Sequence, residues 1–172
     1  MDVGMLVLRL LHVGLGVFWA GTILFFVLLL EPSIRDAGPE GGKVMQALMR
    51  RGYLNIMPVV ALLTVLSGVD LLRRVSAGFA AEWLASPPGR ALLIGSLAGT
   101  VALLLGVSIL RPTALRVGRL MQQAGEAPAG ADKDRLMLEI GGLRARSTSV
   151  GRVIALLLAV AVVTMAVARY LE

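Results

Sequence analysis

The amino-acid sequence predicts an all-α membrane protein: a bundle of four transmembrane helices, with a cytoplasmic helical hairpin extending the third and fourth. Three observations predict it. Hydrophobic residues make up 57% of the 172-residue chain, and the mean hydropathy is +0.82, more apolar than ordinary soluble domains. Residues 10–30, 52–69, 91–110 and 153–168 contain no Asp, Glu, Lys or Arg, and each run approaches the ~20 residues a helix needs to cross the hydrocarbon core. The Lys and Arg residues are spread unevenly over the segments between these runs. Residues 1–172 therefore read as a single integral membrane domain, with the lipid bilayer as its first partner.

The first helix is expected over about residues 5–31. A cleavable leader would carry a basic start and a short apolar core. Here Asp2 stands near the start and the apolar run is long, so a retained helix is expected. Pro32 then opens a Gly/Pro-rich turn, followed by a short helical stretch with Val44 and Leu48 on one side. The second helix is expected over about 53–74, and the third over about 90–111, after Trp83 at interfacial depth and the pair Pro87-Pro88. In the third helix Ala91, Gly95 and Gly99 recur every fourth residue, as do Ala98, Ala102 and Gly106. Small residues at that spacing let helix backbones approach closely, which makes this helix the central packing element; a contact between copies is the other use of such a face. Pro112 marks an end or a kink. Residues 112–149 then read as the two arms of the hairpin, with Ala114, Val117 and Met121 facing Leu136, Ile140 and Leu143. Two helices lying on the lipid surface are the other reading of that pattern. The fourth transmembrane helix is expected over about 150–170.

Twelve of the seventeen basic residues fall in two connections. The first holds Arg35, Lys43, Arg50 and Arg51; the third holds Arg111, Arg116, Arg119, Lys133, Arg135, Arg144, Arg146 and Arg152. The positive-inside rule makes segments 32–52 and 112–149 cytoplasmic and puts both termini outside, in a bacterial inner membrane. The net charge of +6 then reflects basic cytoplasmic loops, and no nucleic-acid partner is expected. The mixed charges of the hairpin suit a soluble partner or anionic lipid, as in a homo-oligomer or a larger membrane complex.

Ionisable groups at membrane depth are costly and mark functional candidates. Arg9 and His12 fall near the outer end of the first helix, Asp70 near the outer end of the second, and Arg169 near that of the fourth. They form a candidate polar site in which Asp70 pairs with Arg9 or accepts a hydrogen bond from His12. The competing reading has the arginines snorkelling to the headgroups and Asp70 pairing with Arg73 or Arg74. His12, Gly16 and Trp19 share one helix face, and Gly16 leaves space beside the imidazole. His12 is the only histidine, so it is the candidate metal or cofactor ligand. Haem b would take His12 as axial ligand, with Met165 at similar depth as a second; copper would draw on the same soft donors. Met57 lies too far towards the inner side. There are no cysteines, and neither a nucleophile–base pair, a zinc spacing nor a paired carboxylate stands out, so no catalytic residue is assigned. The segment GPEGG at 38–42 lacks the Lys-Ser/Thr ending of a phosphate loop.

Several stretches carry a resemblance: "RLLHVGLGVFWAGTILFF", the exit "EPS", "MQALMRRG", "LTVLSGVDLL" and "VVTMAVARYL". Together they resemble the copper-resistance D-type membrane proteins and the small uncharacterised four-helix proteins near them, where an early His precedes a Trp-x-Gly, here His12 and Trp19-Ala20-Gly21. The resemblance implies a copper-related transport or accessory component without enzymatic activity. The similar four-helix protoporphyrinogen oxidases imply instead a haem-binding oxidoreductase using His12. A structural subunit of a larger membrane complex is the third expectation.

Overall fold

The computed structural model describes residues 3–171; Asp2, on which the retained-helix argument partly rests, lies outside them. Among the described residues the chain is helical throughout, with no strand. Helix α1 spans Val3–Asp36 and α2 spans Pro39–Arg50; α3 spans Tyr53–Val75, and a single turn, α4, Ala81–Ala85. Two long helices, α5 (Pro87–Glu126) and α6 (Ala131–Tyr170), complete the chain. Helices α1, α3, α5 and α6 are each long and apolar enough to cross a membrane, as expected. The short helix foreseen around Val44 and Leu48 is α2, and Gly52, in the left-handed region at φ 84°, turns the chain from it into α3.

Helices α1 and α5 run further than their prolines suggest. Pro32 and Pro112 do not end a helix; each follows a five-residue π-helical turn, Phe26–Leu30 and Gly106–Leu110. Proline removes an N–H and crowds the preceding turn, and a wider turn is a known way for a helix to absorb such a defect. Both sites share one local pattern, Glu31-Pro32-Ser33 and Arg111-Pro112-Thr113. The Ser33 hydroxyl donates to the Leu29 carbonyl at 2.8 Å and that of Thr113 to the Ile109 carbonyl at 2.7 Å, so each hydroxyl helps satisfy the loosened turn. At the other end of α5, Ser86 caps the helix by accepting from Gly89 N–H, and Pro87 sits at the first helical position, where its missing donor costs nothing.

The four long helices form a ring: α1 packs along α3, α5 along α6, and these pairs meet through α3–α5 and α1–α6 contacts. Their shared core is Trp19, Ala20, Ile23, Ala61, Ala102, Ile154, Ala155 and Leu158. Large apolar side chains such as Val17, Leu97 and Leu156 point outward, each about two-thirds exposed. In water that would be a large unburied patch; a lipid-facing belt is its ordinary meaning. The small residues of α5 behave as the spacing predicts: Ala91, Gly95, Ala98, Gly99 and Ala102 are all buried. A Cβ at Gly95 would stand 2.8 Å from Thr164 Oγ1 and 2.9 Å from Met165 Cγ, so only glycine allows this approach of α6. Gly106 is half-buried in the π turn.

Forty residues of helix rise about 60 Å, roughly twice the ~30 Å hydrocarbon thickness. The surplus of α5 and α6 forms a hairpin whose arms pack on each other, so the arms do not lie side by side without mutual contact. Ile140 and Ala124 are buried between them. Arg116 pairs with Glu139 across the arms, and Arg144 Nη2 approaches Met121 Sδ at 3.0 Å. Met121 was expected in the seam; it is 45% exposed and rests under Arg144 instead, because the seam of that arm passes through Ala124. The two helix pairs are also clamped where the hairpin leaves the bundle. Arg111 donates to the Leu54 carbonyl at 3.2 Å and to Asn55 Oδ1 at 3.2 Å, while Thr148 donates to Glu31. Both clamps use the charged residue that precedes a helix proline.

Candidate functional site

The centre of the bundle is built from residues that a helix face brings together. His12, Gly16, Trp19 and Ala20 of α1 line a cavity of about 90 Å3 with residues of α3, α5 and α6, including Thr64, Gly68, Gly99 and Met165. The shared face of His12, Gly16 and Trp19 is therefore turned inward, and Met165 lines the same cavity. Gly95, Gly99 and their neighbours form its α5 wall.

The imidazole is held by α3. His12 Nδ1 lies 2.8 Å from the Thr64 carbonyl oxygen and 3.3 Å from Ser67 Oγ. A carbonyl only accepts, so Nδ1 carries the proton and donates it. The Ser67 hydroxyl is committed to the Leu63 carbonyl at 2.7 Å. In the neutral imidazole Nε2 is then the acceptor nitrogen, and it has no hydrogen-bond partner among the described residues. A backbone carbonyl on Nδ1–H is the arrangement that orients metal-ligating histidines. The room beside the ring comes mainly from Gly68, where a Cβ would stand 2.7 Å from His12 Cε1. At Gly16 a Cβ would meet only Thr64 Cγ2, at 3.5 Å.

The other expected members of the polar layer stay apart from His12. Asp70 does not reach Arg9 or His12; its two oxygens are taken by Arg73 Nη2 at 2.8 Å and Arg74 Nε at 3.0 Å. Those arginines sit three and four residues on, where helix geometry makes pairing local. Arg9 is exposed on the outer surface of α1, and Arg169 stacks over the Tyr170 ring at 4.9 Å. Thr64, Ser67 and Gly68 were not singled out from the sequence. Their signal is the stretch "TVLSG", two hydroxyls and a glycine at spacings of three and four on one helix face.

A second cavity of about 60 Å3 lies further along the bundle, lined by Trp19, Ile23, Tyr53, Met57, Ala102, Arg111 and others from all four long helices. The Tyr53 ring stacks on Phe26 beside it, with centroids 5.6 Å apart. Met57 thus belongs to this second cavity and not to His12.

The donor set bears differently on the two cofactors considered. Haem does not fit between His12 and Met165: about 90 Å3 is well below the ~300 Å3 at which pockets for larger organic ligands begin. A single soft metal ion needs no such space, and an imidazole nitrogen with a thioether sulfur is a donor set that copper accepts. Among the described residues no group of three or more His, Cys, Asp and Glu side chains is placed to hold a metal ion, so a harder, carboxylate-rich site is not built here. The chain was compared with protein-family models, curated proteins and solved structures, and none of them matches it.

Proposed function

We propose that the protein is a multi-pass component of the bacterial inner membrane that handles copper, as a transport or accessory protein, through a two-donor site formed by His12 and Met165. The observation that supports this most directly is the His12 Nδ1 to Thr64 carbonyl bond at 2.8 Å. It leaves Nε2 of the neutral imidazole without a protein partner, on a residue that lines a cavity with Met165. Copper is here cargo or ligand, and no bond is made or broken by the protein. In this reading the segments 32–52 and 112–149 face the cytoplasm, because they hold most of the Lys and Arg residues, and the Val3 and Tyr170 ends face outward.

An anaerobic Cu(I) titration of the purified protein against a coloured chelator tests the proposal. One equivalent is expected to bind, with affinity falling at least a hundredfold in His12→Ala and at least tenfold in Met165→Leu. Affinity unchanged by His12→Ala would overturn the copper site. A Soret band in the visible spectrum that disappears in His12→Ala would put haem in its place. A second reading, a structural subunit, is favoured by one feature of the hairpin: Leu138 is 78% and Met137 51% exposed beyond the bundle. Leu138→Glu that releases a co-purifying membrane partner would support it.

A further inference from the structure

Helix α2 divides its chemistry between two sides. Lys43, Gln46 and Arg50 recur at i, i+3 and i+7 and share one face; Val44 and Leu48, with Met45 and Met49 beside them, take the other. The three polar residues are exposed. The apolar side is only partly used by the protein. Among the described residues α2 packs mainly on the last turns of α1 and on α3. None of Val44, Met45, Leu48 and Met49 is buried, and Val44 is 53% exposed. This face adds nothing to the shared core, whose members all lie on the four long helices.

Connectivity fixes the depth at which α2 ends. Gly52 turns the chain directly into Tyr53 and α3, and the Tyr53 ring stacks on Phe26 of α1. The C-terminal end of α2 is therefore level with the end of the uncharged run of α1. Polar groups begin at the same level, where Arg111 reaches the Leu54 carbonyl and Asn55. Arg50 and Arg51 thus stand at the edge of the hydrocarbon layer, the depth of lipid phosphates.

The charge at that edge is of one sign. From Lys43 to Arg51 the chain has three basic residues and no acidic one. Lys43 is paired with Glu40 at 2.7 Å, but neither Arg50 nor Arg51 makes an ion pair among the described residues. The helix dipole favours basic residues at a C-terminal end, which accounts for their charge and not for the apolar face alongside. We propose that α2 recognises anionic phospholipids: Val44 and Leu48 sit among the upper acyl chains, and Arg50 and Arg51 bind the headgroup phosphates. A zwitterionic lipid offers the same phosphate but brings its own ammonium, so the preference is for a net negative headgroup. This needs only that the bundle spans a membrane, and it stands apart from the copper reading.

The chain lacks cysteine, which allows a clean test in the full-length protein. Val44→Cys carries a bimane fluorophore, and the protein is reconstituted in vesicles of phosphatidylcholine and phosphatidylglycerol at equal mole fraction. A small part of one lipid or the other is replaced by its analogue with a nitroxide on the acyl chain. The Val44 label is expected to be quenched about three times as strongly by the phosphatidylglycerol analogue. A label at Leu97→Cys, on the outward face of α5, is expected to be quenched equally by both. Arg50→Gln together with Arg51→Gln is expected to remove the preference at position 44, and Arg50→Lys together with Arg51→Lys to retain it. Equal quenching of the Val44 label by the two analogues would overturn the proposal, as would a preference that survives both glutamines or that Leu97 shows to the same degree. A Val44 label that neither analogue quenches would also overturn it, since the apolar face would then meet water or another protein.

Discussion

His12 is held by a helix other than its own, and that decides what it is free to do. The Thr64 carbonyl fixes the proton on Nδ1, and Gly68 gives the ring its room. Gly68→Ala is therefore expected to displace the imidazole, because its Cβ would stand 2.7 Å from Cε1. Overpacking of this kind costs about 1–3 kcal/mol, and Cu(I) affinity is expected to fall at least tenfold. Gly21→Ala, with nothing within 4 Å of its Cβ, serves as the control; thermal unfolding and chelator competition read both variants. The α1 half of this site was legible in the sequence. Spacing puts His12, Gly16 and Trp19 on one face, and distance from the helix end puts Met165 at the same depth. The α3 half was not, since nothing local says which face of α3 turns toward α1. Asp70 shows the same gap: hydropathy marks it as costly, but Arg73 and Arg74 satisfy it within its own helix.

Proline-rich exits are where the helices depart most from expectation. A proline in sequence reads as a boundary, because it removes a donor and clashes with the preceding turn. In α1 and α5 a π turn takes up the defect and a following hydroxyl satisfies a carbonyl, which no periodicity of apolar residues would reveal. The charged residue before each proline then reaches across to a different helix pair. Arg111→Ala is expected to cost about 1–3 kcal/mol, leaving Asn55 and the Leu54 carbonyl without their donor. Arg119→Ala, exposed on the same helix, is expected to change stability by no more than about 0.5 kcal/mol. Thermal unfolding in detergent compares the two, and equal losses would mean that the Arg111 clamp contributes nothing of its own. The uncharged runs placed all four spanning helices correctly, since the bilayer imposes their length directly.

At the scale of the molecule, an apolar exterior and a basic hairpin determine how the bundle sits. Ala129→Cys, at the hairpin turn, is expected to resist a membrane-impermeant maleimide in intact cells and to react after permeabilisation. Labelling without permeabilisation would reverse the proposed orientation. The central claim also belongs to the whole assembly. An imidazole on α1, its hydrogen-bond acceptor on α3 and a thioether on α6 come to line one cavity only when the bundle is formed. The chain has a single histidine, so nitrogen NMR of histidine-labelled protein in lipid reports on that meeting point alone. The account predicts a proton on Nδ1, a bare Nε2, and an Nε2 resonance that moves when Ag+ is added to the wild-type protein. A proton on Nε2, or an Nε2 resonance that Ag+ leaves in place, would contradict it.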